Sequence, residues 1–197
     1  MSLTDSLLAA LNQPTPASLY ALGSELRQRR LSATPAEVAA LTLALQAAGA
    51  FYTFLSQVQA KITAEEYNRL ASMLDLGSVG TVALQNVLSE RADRLRRLLM
   101  GGVSETMMLI GSLQYIKAWE REAQALHEQA AWHLYDILWE LSLLGQPALS
   151  GEERRRTIEN LLAPSFDMTL PSAQRTIYLG WLFQLALLTA VAQIGAG

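Results

Sequence analysis

Apolar positions in this chain recur at the three-to-four-residue spacing of helices, and no stretch alternates with period two for long. Leu19, Leu22 and Leu26 share one face of a helix predicted over 17–31, after Pro14 and Pro16. Thr34-Pro35-Ala36-Glu37 opens the next helix, with Thr34 as N-cap, Glu37 at the capping-box position and Pro35 at the first helical position. This helix is predicted to run to about Ala60, free of charge from Val38 onward. Thr63-Ala64-Glu65-Glu66 repeats the signature and starts a helix that stops near Asp75. Gly77 and Gly80 then precede a helix over 81–100, with Leu84, Val87, Leu88, Leu95, Leu98 and Leu99 inward. Gly101-Gly102 is the strongest break in the middle of the chain and a candidate hinge. A long helical run follows from Ser104 to about Leu144, ended by Gly145-Gln146-Pro147. A short amphipathic helix over 150–163 and a loop over 164–170 lead to a terminal helix started by Pro171.

The terminal helix makes the largest demand on the fold. From Thr176 to Gly197 there is no charge. Ile177, Leu179, Leu182, Phe183, Leu185, Leu187, Leu188, Val191 and Ile194 point in all directions at helical spacing. A helix apolar all round must be buried, in a core, at a subunit seam or in a bilayer. Both charge-free segments reach the roughly 20 residues needed to span a membrane. Both also carry polar residues, Gln46 and Gln57 in the first and Gln184 and Gln193 in the second, without a dense basic flank. The expectation is an all-α, single-domain bundle of about seven helices, with the C-terminal helix central or at an oligomer interface. Residues 1–16 are expected to be a partly flexible leader. A C-terminal membrane anchor is the rival reading of the last segment.

Composition narrows the setting. Hydrophobic residues make up 51% of the 197 positions and charged ones 17%, against about 25% charged in typical soluble domains. So little polar surface suggests that part of the molecule is covered by another protein or by a second copy. A net charge of -3 argues against a general nucleic-acid binder. The absence of cysteine removes disulfides, thiolate catalysis and cysteine-ligated metals. The N-terminus carries Asp5 and no basic region, so it does not read as a secretory signal. A cytoplasmic protein is expected, and the excess of 13 Arg over 2 Lys suggests a bacterial source by association.

Candidate chemistry is sparse. His127 and His133 are the only histidines. His133, Asp136 and Glu140 lie along one helix strip and could ligate iron, manganese or zinc if another helix added groups. Arg121-Glu-Ala-Gln-Ala-Leu-His127 resembles the loose Arg-x(4–6)-His pattern of HEPN ribonucleases. That resemblance implies a helical bundle in which Arg121 and His127 bind and polarise a phosphate. Residues 63–99 look superficially like a helix-turn-helix with Arg91, Arg94, Arg96 and Arg97 available to phosphates, but Glu90 and Asp93 dilute the charge. Size and helicity are similar to the proofreading chaperones of twin-arginine substrates. The chain departs from that motif because Trp132, not Asp, precedes His133. Arg154-Arg155-Arg156, behind Glu152 and Glu153, reads as an exposed mixed-charge turn. No phosphate-binding glycine loop or nucleophile elbow occurs, and neither cofactor nor metal is expected.

The long helix carries two faces. Leu126, Ala130, Leu134, Ile137, Leu141 and Leu144 form an aliphatic side, while Trp132, Tyr135 and Trp139 fall nearly opposite. Large aromatics with polar tips favour partner surfaces. The leading expectation is a non-enzymatic interaction protein (an adaptor, chaperone or regulatory subunit) that binds a protein partner or itself through Trp132, Tyr135 and Trp139. The alternatives are a small helical enzyme or metal protein using His133, Asp136 and Glu140, or Arg121 with His127, and a membrane-anchored protein.

Overall fold

A computed structural model of the chain describes residues 2–59, 120–167 and 172–195. Among these residues the protein is all-helical, with six α-helices, one short 3-10 turn and no strand. In chain order they are α1 (Leu3–Asn12), α2 (Pro16–Leu31), α3 (Pro35–Gln59), α4 (Glu120–Gly145), α5 (Gly151–Leu162), the 3-10 turn (Ala163–Phe166) and α6 (Ser172–Gly195). The capping box at Thr63, the helix over 81–100, the hinge at 101–102 and the first part of the long helix lie outside the described residues.

Short polar side chains start the helices by satisfying backbone N–H groups that have no partner inside the first turn. Ser2 and Asp5 form a reciprocal capping box at the head of α1, as do Thr15 and Ser18 at α2. Ser150 and Glu153 do the same for α5: the Glu153 N–H donates to Ser150 Oγ at 3.2 Å and the Ser150 N–H to Glu153 Oε2 at 3.0 Å. At α3 the Glu37 carboxylate accepts from the Thr34 N–H at 2.9 Å and from its hydroxyl at 3.0 Å. Those bonds, with the Arg29 guanidinium 2.7 Å away, hold the Glu37 carboxyl below its usual range. α1 occupies most of the stretch expected to be a flexible leader. Its Ser2–Asp5 box fixes the start, and burial of Leu7, Ala10 and Leu11 fixes it to the core.

Packing centres on α3, α4 and α6, each of which touches the other two. α2 lies on the far flank of α3, α1 against α2, and α5 against α4. Phe183 of α6 stacks on Phe51 of α3, with centroids 5.2 Å apart and planes 8° from parallel, and meets Phe54 at 5.4 Å. From Tyr178 to Val191 every residue of α6 is buried except Leu185 and Thr189, which are half-buried. Gln184, inside this apolar run, donates its Nε2–H to the Leu11 carbonyl of α1 at 3.2 Å.

α4 and α6 run parallel. His127 meets Thr176 near their N-terminal ends. At the other end a Cβ added to Gly145 would come within 3.1 Å of Gln193 Nε2. Parallel neighbours require the chain to return along the length of α4. α5, at about 1.5 Å per residue, and the 3-10 turn supply that return.

The buried side of α4 differs in detail from the expected aliphatic stripe. His127, Ala130, Ala131, Leu134, Ile137, Leu138 and Leu141 are buried. Leu126 is only half-buried and Leu144 is exposed. The stripe is rotated because α4 answers to α3 on one side and α6 on another, which no single-helix projection contains.

Candidate functional site

The aromatic residues of α4 form a graded row. Trp132 and Tyr135 have ring centroids 6.1 Å apart, and Tyr135 stacks on Trp139 at 6.2 Å and 18°. Spacing of three and four residues puts them on successive turns of one side. Trp132 is 65% exposed, while Tyr135 and Trp139 are half-buried. The lower end is clamped by Arg154 of α5, whose guanidinium lies 5.4 Å from the Trp139 ring. The same guanidinium donates to the Gln146 carbonyl at 3.0 Å and the Leu149 carbonyl at 3.2 Å. Both carbonyls lie in the segment just after α4, and a cation beside the C-terminal end of a helix is also favoured by the helix dipole.

Arg154 therefore corrects the sequence reading of 154–156 as an exposed turn. Arg154 is buried, and only Arg155 and Arg156 face solvent, paired one turn away with Glu159 at 3.9 Å and Glu152 at 3.1 Å. Its burial follows from contacts with the loop after α4, which charge patterning does not reveal.

His127 sits inside the protein, 1% exposed, with Nε2 2.8 Å from Thr176 Oγ1. Burial, with a smaller contribution from the nearby Arg175 cation, lowers its pKa to about 4. The ring is neutral at pH 7 and its Nε2 bonds to α6, not to solvent. Arg121 lies in the first turn of α4, but its side chain lies outside the described residues. Sequence inspection missed the Thr176 partner because 49 residues separate the two groups.

His133, Asp136 and Glu140 are all exposed along α4. Among the described residues no group of three or more His, Asp or Glu side chains is placed to hold a metal ion. The arginines at 91, 94, 96 and 97 lie outside the described residues.

A second surface feature was not legible in the sequence. Between α2 and α3 opens a cleft with room for about 150 Å³, walled by Tyr20 and Tyr52, with Gly23, Gly49 and Arg27 among its lining. Tyr20 is 65% and Tyr52 41% exposed. The Arg27 guanidinium lies 5.9 Å from the Tyr20 ring. The i, i+3, i+7 spacing of Tyr20, Gly23 and Arg27 was the available signal, but only the packing of α3 makes it one wall of a cleft.

No protein-family model, curated protein or solved structure matches this chain.

Proposed function

We propose that this is a non-enzymatic helical interaction protein, an adaptor, chaperone or regulatory subunit, that binds through the aromatic side of α4. The observation that carries this reading is Trp132. It stands 65% exposed at the free end of a row whose other end is fixed by Arg154. A rigid aromatic anchored from behind and open in front gains large apolar contact at low conformational cost when a partner covers it. The reading includes a single domain of about seven helices in a cytoplasmic setting. Burial of α6 against α3 and α4 supports a structural role for the last helix, because the faces that an anchor would offer to lipid are already covered.

Site-specific crosslinking tests the function. A photoreactive phenylalanine at position 132 of the full chain should give covalent adducts with a protein. The same group at Glu152, on exposed α5, should give none. Absence of adducts at 132 above the Glu152 control would sink the reading.

A further inference from the structure

The cleft lies between α2 and α3 and the aromatic row runs along α4 toward α5, and the two features complement each other. Trp132 is a large exposed knob, with Glu128 one turn before it and Asp136 one turn after, both exposed. The cleft has room for about 150 Å³ beside the exposed rings of Tyr20 and Tyr52. Gly49 leaves it open: a Cβ there would meet nothing within 4 Å. Arg27 lines the cleft, and Arg30 is exposed one turn further along α2. The knob is therefore flanked by carboxylates and the hole by guanidinium groups.

We infer that the Tyr20–Tyr52 cleft receives Trp132 of a second copy of this chain, with Glu128 and Asp136 facing Arg27 and Arg30. This rests on the reading of α4 as a binding surface and names its partner. The indole would pack against the two tyrosines and the Arg27 cation that line the cleft, contacts that aromatic and cation–π interactions favour. Knob and hole are distinct patches built from different helices, so each contact is heterologous, and the association closes into a ring of two or more copies or continues as a chain.

Two full-length variants test this. Trp132→Ala removes the knob. Gly49→Leu fills the hole, and it leaves α3 intact because the site is open and leucine favours a helix over glycine. Circular dichroism melts confirm that both fold. Light scattering of the native protein should show mass rising with concentration above the 21.6 kDa monomer. Each variant alone should be monomeric. An equimolar mixture should form one-to-one complexes that grow no further, since the pair's one knob fills its one open hole and neither is left free. The mixed complex should also weaken several-fold as salt rises from about 0.1 to about 1 M, where screening shortens to a few ångströms. A monomeric native protein, a variant that assembles like the native chain, or a mixture that stays monomeric overturns the inference. Crosslinks from position 132 to another protein alongside a monomeric native chain would overturn self-docking and leave the binding reading standing.

Discussion

α3 and α6 are both long, apolar and almost free of charge, yet they live in different surroundings. The most apolar window of α3, within Pro35–Val58, has a mean hydropathy of 1.6, enough by length and composition to cross a membrane, but only 50% of it is buried. α3 keeps Gln46, Gly49, Tyr52, Thr53, Ser56 and Gln57 on an open side. α6 is covered on nearly every side over Tyr178 to Val191. Absence of charge does not by itself decide burial. The difference lies in where uncharged polar groups sit. In α3 they gather on one side, and Thr53 and Ser56 bond back to carbonyls of their own helix, at Gly49 and Tyr52. In α6 the central polar residue, Gln184, reaches a neighbouring helix instead.

Inserting a charge into each helix would separate them most. Leu187→Lys places an ammonium at a site with 0% exposure. The cost of an unpaired buried charge is comparable with the whole stability of a domain, about 5–15 kcal/mol. No cooperative melt is expected. Gln46→Lys, on the open side of α3, should change stability by less than about 0.5 kcal/mol. Equal effects in thermal melts would erase the distinction.

The seam between the two helices gives the next largest effect. Phe183→Ala removes the ring that stacks on Phe51 and touches Phe54. A loss of about 3–5 kcal/mol is expected for a buried aromatic truncated to alanine. Denaturant unfolding that shows less than about 1 kcal/mol would mean that the seam is not the core.

His127 sharpens the picture through pH. Its folded pKa of about 4 lies below the ordinary 6.5, so the unfolded chain binds the proton first. The stability this represents is present above pH 6.5 and is lost as pH falls from about 6.5 to about 4, up to about 3 kcal/mol. His127→Gln should show a flatter melting temperature across that window. An equal slope in both proteins would show that the ring does not control it.

The helices were readable because their causes are local. Thr34 with Glu37 and Ser150 with Glu153 cap within three residues, and Leu19, Leu22 and Leu26 share a face by spacing alone. A ten-residue helix such as α1 is marginal in isolation and leaves a weak local signal. It is held by packing on α2, by burial of Leu7 and Leu11, and by the bond from Gln184 at the far end of the chain. The aromatic row of α4 was also visible, since Trp132, Tyr135 and Trp139 lie on adjacent turns.

Among the described residues, the sequence by itself determined that the segments of α2 to α6 are helical and which large side chains share a helix face, because those follow from bonds and spacings within a few residues. Only the tertiary structure decided which of those faces meet. It put His127 against Thr176, set Arg154 beneath Trp139, left one side of α3 open while closing α6, and brought two glycines of different helices to one cleft. Each depends on the parallel course of α4 and α6 and on the flank that α2 takes beside α3. Such choices are made by the summed burial of many weak apolar contacts between distant segments, and no local pattern encodes that sum.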